Sequence, residues 1–432
     1  MQLNSWGMYP IIKNKSYIFR DETILSLKLS EKKEFIAYGN GRSYGDSAIN
    51  NNIIYTKFYN CFLDFDEKNG LLSCQSGVLL SEILEIFVPK GWFLKVTPGT
   101  KLITVGGAIA SDVHGKNHHI EGCFSNCIKE FNIMLPNCEI KTCSKTENIE
   151  LFKATCGGMG LTGVILDAKI FLKKINSKYI NQITIKTKNL QETFQMFEEY
   201  SNQTYSVAWI DCLAESKNMG RGLFMVGDFA NDGDLSYKEK KKITIPFKFP
   251  SFVLNNLSVK IFNCLYYRKF PNGISKQKVD IDTFFYPLDK INHWNKIYGK
   301  CGFTQYQFIL PKNFSYDGLK EILFEISNSK KGSFLAVLKL YGKSNENYLS
   351  FPIEGYSLAV DFKIEKGLFE LLDKLDEIVE KYAGRIYLSK DVRVSKEMFE
   401  KGYPKIEKFR KFRKINCMDK KFQSLQSKRI GI

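Results

Sequence analysis

TPGTKLITVGGAIASDVHGKNHH, residues 97–119, is the stretch on which this chain's architecture turns. It holds three of the four histidines, His114, His118 and His119, directly after the run TVGGAIA. Three readings compete: a metal site with Cys123 nearby, a catalytic base with polar neighbours, or a loop lying against a cofactor. The histidines are too crowded for the usual zinc spacings, and no CxxC pair supports them. No metal is therefore expected. Gly106 and Gly107 admit a ligand close to the backbone, and Thr97, Thr100 and Thr104 offer hydroxyls. The cofactor loop accounts best for the glycines, with His118 and His119 structural or exposed.

Two further glycine clusters flank this one. GNGRSYGD, residues 39–46, follows the strand-like FIAY, and CGGMGLTGV, residues 156–164, precedes the strand-like VILDAKIFL. Successive amides in such turns form anion-binding nests, and Arg42 adds a positive charge. Neither cluster is a dinucleotide fingerprint or a Walker loop, because position 44 is tyrosine and no GK[ST] follows. Three glycine-dense turns in one region suggest a long ligand with a pyrophosphate.

Composition fits a two-domain globular protein: 432 residues, 44% hydrophobic and 14% aromatic. Eleven scattered cysteines read as buried free thiols in a reducing compartment. No apolar run approaches the roughly 20 residues of a membrane span, and MQLNSWGMYP does not read as a signal peptide. A soluble or peripheral protein is expected. The net charge of +17 favours anionic partners, with a Lys-rich proteome as the plain alternative. No basic helix or zinc finger points to nucleic acid.

The first 177 residues read as an α+β domain. LSEILEIF is predicted helical from Leu80, Ile83, Leu84 and Phe87, ending at Pro89 and Gly91. From residue 178 alternating strands dominate. Gln305 and Gln307 share one face of TQYQFILP; Leu335, Val337, Lys339 and Tyr341 share one face of SFLAVLKLYG; Ser357, Ala359 and Asp361 share one face of YSLAVDFK. The pattern predicts an antiparallel sheet with helices on one side and, on the other, either a pocket wall or a solvated face. Residues 237–271 mix lysines, prolines and aromatics without clean periodicity. They read equally as a lid, a membrane-contacting segment or a packed excursion.

GRSYGD, PGT, TVGGAIA, HGKNHH and GLTG, in this order, resemble the FAD domain of the vanillyl-alcohol oxidase superfamily, the PCMH-type flavoproteins. FPNG, YQF, LSFPI, VDF and AGRIYLSKD extend the similarity over nearly the whole chain, to the branch that oxidises polyprenyl-phosphoryl sugars in arabinose biosynthesis for the cell envelope. The resemblance implies a two-domain α+β fold: an FAD-binding domain over 1–177, an antiparallel-sheet substrate domain over 178–384, and a return to the FAD domain over 385–432. It implies FAD held by Gly39, Gly41, Arg42, Ser43, Tyr44, Gly99, Thr100, Thr104, Gly106, Gly107, Ser111, Val113, His114, Ile165 and Tyr387. Tyr44 stands where some relatives carry a tethering histidine, which implies non-covalent FAD.

The resemblance further implies catalytic roles for His114, Lys390, Lys339 and Gln307, with either Lys390 or His114 taking the proton. Gln305, Gln307, Lys339, Ser357, Phe285 and Tyr44 are the expected substrate contacts. The expected reaction is oxidation of C2′ of a polyprenyl-phosphoryl pentofuranose to a ketone, the first half of an epimerisation that a short-chain reductase partner completes. An aldonolactone or alditol oxidase using oxygen is the alternative. A cytoplasmic protein, peripheral at the inner membrane, is implied. Ser357, Ala359 and Phe285 depart from the branch's usual Asn, Cys and Tyr.

Overall fold

Short apolar runs between glycine turns pair into two antiparallel sheets in the computed structural model, which describes residues 2–239, 241–250 and 252–432. The first sheet orders Phe62–Asp66, Leu71–Gln75, Val164–Lys174, Ile128–Met134 and Ile140–Ser144. Trp92–Leu94 pairs along the far half of the central strand. A parallel trio, Lys15–Ile18, Asn52–Tyr55 and Ile36–Tyr38, stands beside it and delivers the chain into the 39–46 turn.

The helix Leu80–Phe87 forms where the periodicity places it. The Glu82 carboxylate accepts the Leu79 amide at 2.7 Å, satisfying one donor of the first turn. Leu80, Ile83, Leu84 and Phe87 are buried with Leu72, Cys74, Phe131 and Ile170 of the sheet. Each such side chain is worth about 1.5–3 kcal/mol. Pro89 enters a 3-10 turn and Gly91, at φ 81°, ends it.

The second sheet has eight strands, in the order Ile274–Asp280, Tyr179–Thr187, Gly222–Phe229, Tyr205–Ile210, Ala336–Tyr341, Gly355–Lys363, Phe303–Pro311 and Arg385–Ile386. Helices Leu190–Glu199, Ser315–Ser329 and Leu368–Lys381 cover one face. Tyr306, Phe308, Leu310, Ala336, Leu338, Leu358 and Val360 pack there against Phe197, Ile322, Leu323, Leu372 and Leu375. Alternation then turns the odd-numbered residues of these strands to the other face. Register sets Gln307 opposite Ala359, Ala359 opposite Val337, and Ser357 opposite Lys339. These side chains form a cavity wall, not a solvated face.

Residues 256–268 correct the sequence reading, which found no periodicity between 237 and 271. Asn256–Arg268 is an α-helix of 13 residues, capped by Asn255 and Ser258 in a reciprocal box. Its inner face is sparse: Val259 and Asn263 are its buried residues. Leu257, Ile261 and Leu265 repeat at helical spacing but point outward, so the apolar stripe does not mark a core-facing surface.

The last segment turns back on the first. Helices Lys396–Gly402, Ile406–Ile415 and Leu425–Ile430 follow the strand Arg385–Ile386. The Phe35 amide donates to the Lys421 carbonyl, the Phe35 carbonyl accepts from the Gln423 amide, and the Leu425 amide donates to the Ile49 carbonyl. No helix among the described residues is long and apolar enough to cross a membrane.

Candidate active site

A cavity of about 370 Å³ opens between the glycine turns of the first region and the free face of the eight-stranded sheet. Every residue expected to contact cofactor or substrate lines it. The turns contribute Gly39, Gly41, Arg42, Ser43, Tyr44, Gly99, Thr100, Thr104, Gly106, Gly107, Ser111, Val113, His114 and Ile165. The sheet side contributes Phe285, Gln305, Gln307, Lys339, Ser357, Tyr387 and Lys390.

The glycine rim is built by close approach. Gly41 has φ +62°, and a Cβ there would strike the Tyr38 hydroxyl; one at Gly106 would come within 2.9 Å of the Ser76 Cβ. Gly99 has open space on its free side, leaving room for a ligand against its backbone. Two donors on this rim, the Arg42 Nε and the Ser76 Oγ, are buried without a hydrogen-bond partner among the described residues, as is the His114 Nδ1. An unmet buried polar atom costs about 1–3 kcal/mol. Glycine turns, an arginine and unmet polar atoms along one elongated wall fit a flavin dinucleotide with its pyrophosphate. Two expected contacts are narrower than the sequence suggested. The Ser43 hydroxyl donates to the Ser389 carbonyl at 2.8 Å, and the Thr100 hydroxyl to Asp289 at 2.8 Å. Their hydroxyl protons are committed inside the protein.

The 43–45 turn is clasped to the C-terminal return. The Tyr44 amide donates to the Ser389 carbonyl at 3.0 Å, and Gly45 lies so close to the Asp391 carbonyl that no Cβ fits. Asp391 accepts from Arg429 at 2.9 Å, and Arg429 reaches Asp46 at 2.8 Å. The clasp places the Lys390 Nζ 3.6 Å from the centroid of the Tyr44 ring.

Four basic groups crowd the inner end. Burial pulls Lys339 down to about 8. Burial and then Lys339 pull Lys116 to about 7. Lys390 falls to about 7 through burial; the charge of Asp361 lifts it and that of Lys339 lowers it. Burial first, then Lys339, His118 and Lys390, hold His114 well below its usual range, so it is neutral at pH 7. None of the three lysines makes an ion pair among the described residues. The carboxylate of Asp361 accepts from the Gln305 amide at 2.5 Å, and burial raises it to about 7.

His114 is framed by Tyr341, Tyr387 and Phe351, at centroid distances of 5.0, 5.0 and 5.6 Å. The Gln307 side-chain amide approaches its Nε2 at 3.5 Å. The turn that presents it is pinned by Asp112, which has φ +40° and is fully buried. Its carboxylate accepts from the Ser125 amide at 2.9 Å, Asn345 at 2.7 Å, Asn347 at 2.8 Å and the Ser350 hydroxyl at 2.7 Å. His118 is structural: its Nδ1 accepts the Gly342 amide at 3.1 Å. The His119 Nε2 lies 2.9 Å from the Gln203 carbonyl.

Sequence reading missed several lining residues. Lys116 stands two positions after His114, inside the quoted stretch, and was overshadowed by the histidines. Trp209 and Val207 share a face of the strand YSVAWI, a signal present in its alternation. Asp289, Trp294 and Tyr266 come from irregular or helical segments with no local cue.

Comparison with known proteins agrees with this site. The FAD binding domain family matches residues 22–144. Decaprenylphosphoryl-beta-D-ribose oxidase of Mycolicibacterium smegmatis is 36% identical over 412 residues, 92% of this chain and 89% of the relative. An uncharacterised Streptomyces coelicolor protein is 26% identical over 82% of this chain and its own full length. L-gulonolactone oxidase of Scyliorhinus torazame is 28% identical over 34% of this chain and 33% of its own. The cofactor is FAD, and the chain belongs to the decaprenylphosphoryl-β-D-ribose oxidase family of PCMH-type, FAD-dependent oxidoreductases.

Proposed function

We propose that the protein oxidises C2′ of a polyprenyl-phosphoryl pentofuranose to a ketone, the first half of a 2′-epimerisation. The observation that carries this reading is the chamber of Lys116, Lys339, Lys390 and His114, whose lysines make no ion pair within 4 Å among the described residues, opening onto an apolar wall of Val207, Trp209, Met225, Leu335 and Val337. A cationic end beside an apolar arm suits a ligand with a phosphate and a lipid tail. The relative from Mycolicibacterium smegmatis, named for a decaprenylphosphoryl ribose, supports the same substrate class.

Bound in this bed, FAD would supply the hydride acceptor for oxidation of the carbinol carbon. Gly39, Gly41, Arg42, Ser43, Gly99, Gly106 and Gly107 would hold its phosphates, while Thr100, Thr104, Ser111, Val113, Ile165 and Tyr387 would line the rest of its bed without a covalent tether. Lys390, lowered by burial so that part of it is deprotonated near neutral pH, accepts the hydroxyl proton. Neutral His114, approached by Gln307, orients that hydroxyl. Lys339 holds the substrate phosphate as a point charge. Gln305, Ser357, Phe285 and Tyr44 shape the sugar pocket, and Phe285 closes it against Phe93 and Tyr205. We assign 1–177 and 385–432 to cofactor binding and 178–384 to the substrate. A short-chain reductase partner completes the epimerisation, and the protein works in the cytoplasm at the inner-membrane surface.

The test is the absorption spectrum of purified yellow protein, recorded anaerobically before and after a polyprenyl-phosphoryl ribose is added. Bleaching supports the proposal. A spectrum unchanged by the lipid sugar but bleached by an aldonolactone or alditol, with rapid peroxide release in air, transfers the assignment to the alternative oxidase class.

A further inference from the structure

We infer that the helix Asn256–Arg268 and the segment leading into it form an interfacial surface that seats the cavity mouth on an anionic lipid bilayer. Among the described residues, 23 large hydrophobic side chains are exposed, and eight of them fall between positions 243 and 274. Leu257, Ile261 and Leu265 make one outward stripe along the helix, at 67%, 51% and 64% exposure, and Phe247 and Phe252 of the segment leading into it are exposed as well. Scattered exposed hydrophobics need no explanation, but a contiguous patch on a soluble fold marks a contact surface.

Charge identifies what covers it. Residues 238–279 contain ten lysines and arginines and a single acid, Glu239, an excess of nine within a chain total of +17. Lys241, Lys248, Lys269 and Arg268 are exposed beside the apolar stripe. A second copy of the chain docking through the same face would bring two such clusters together and be repelled. A bilayer with anionic headgroups satisfies both halves, taking up the aliphatic side chains and attracting the lysines.

The helix is coupled to the site beneath it. Its inner face is held by Asn263, which donates to Asp211 at 2.8 Å, and Tyr266 packs edge-on against Trp209 with centroids 4.9 Å apart. Both aromatic rings line the cavity. The apolar arm that begins at the lysine chamber is thus lined in part by a residue of this helix, Tyr266. The purpose of the surface rests on the proposed lipid-linked substrate; the surface itself does not.

The experiment uses the FAD-loaded protein in co-sedimentation with vesicles of equal parts phosphatidylglycerol and phosphatidylcholine, and with vesicles of phosphatidylcholine alone. Binding is expected to the first, and to weaken with salt. The combined variant Leu257→Glu, Ile261→Glu, Leu265→Glu should lower the partition coefficient by about a hundredfold or more. Lys241→Gln with Lys248→Gln and Lys269→Gln should lower it by about fivefold per charge. Both variants should keep the flavin spectrum and the turnover of a short-tailed, water-soluble sugar phosphate substrate. Parent protein that ignores anionic vesicles, or glutamate variants that bind as well as the parent, overturns the inference. So does a parent dimer in solution that the glutamate variant dissociates. Vesicle binding without oxidation of any polyprenyl sugar rejects the proposed substrate and leaves the surface standing; oxidation without vesicle binding does the reverse.

Discussion

Lys339→Met should make the protein more stable and less active, and the size of both effects follows from the position of the amine. Lys339 sits on the inner face of its strand between Val337 and Tyr341, opposite Ser357, with no ion-pair partner among the described residues. Its fall from 10.5 to about 8 is caused by burial alone. At about 1.4 kcal/mol per tenfold, that fall corresponds to a penalty of up to about 3 kcal/mol on the protonated form, reduced toward 1 kcal/mol where cavity solvent reaches the amine. Methionine keeps the stem and removes the charge.

The sign follows from proton linkage. The folded protein gives up the Lys339 proton more readily than the unfolded chain. The destabilisation is thus fully present below pH 8 and is relieved as pH rises from about 8 toward 10.5. In thermal melts of the FAD-loaded protein, Lys339→Met should melt a few degrees above the parent at pH 7, and the gap should shrink from pH 8 upward. Loss of a charge-assisted contact to the substrate phosphate should cost about 1.5–3 kcal/mol, or roughly 10- to 100-fold in kcat/KM. A variant no more stable than the parent at pH 7, or a gap that does not change with pH, refutes an unpaired buried cation here.

Three other expectations follow from the same geometry. Asp361→Asn removes the charge that raises Lys390, so the acidic limb of the kcat/KM profile near pH 7 should move to lower pH; a limb that stays in place rejects Lys390 as proton acceptor. Gly41→Ala, at φ +62° and against the Tyr38 hydroxyl, should cost at least about 1–2 kcal/mol in backbone strain, and purified protein should lose flavin absorbance relative to protein absorbance. Asp112→Ala removes the acceptor of four donors, three of them buried, and should destabilise the fold by about 1–3 kcal/mol for each donor left unmet, read as a drop in melting temperature.

The parts of the site legible in the sequence are those written in local periods. Alternation placed Gln305, Gln307, Lys339 and Ser357 on one sheet face, because a strand has only two faces to offer. Glycine turns marked where backbone and ligand approach. What stayed hidden depends on partners distant in the chain. Nothing near Asp361 shows that Gln305 occupies its carboxylate, and nothing near Ser43 shows that its hydroxyl is taken by the carbonyl of Ser389. Burial of the lysines, which sets their protonation, is a property of the closed cavity. The helix Asn256–Arg268 was missed for another reason. Lysines, prolines and aromatics surround and interrupt it, and only Val259 and Asn263 are buried on it, so no clean amphipathic period marks it.

The clasp between Ser43, Tyr44 and Gly45 and the carbonyls of Ser389 and Asp391 bears on how the yellow enzyme is made. The glycine rim is translated well before its clasp, since its shape is fixed by residues 346 positions further along the chain. The dinucleotide bed therefore takes its final shape only when the 385–432 return docks, and coloration should develop in a step whose rate follows that docking.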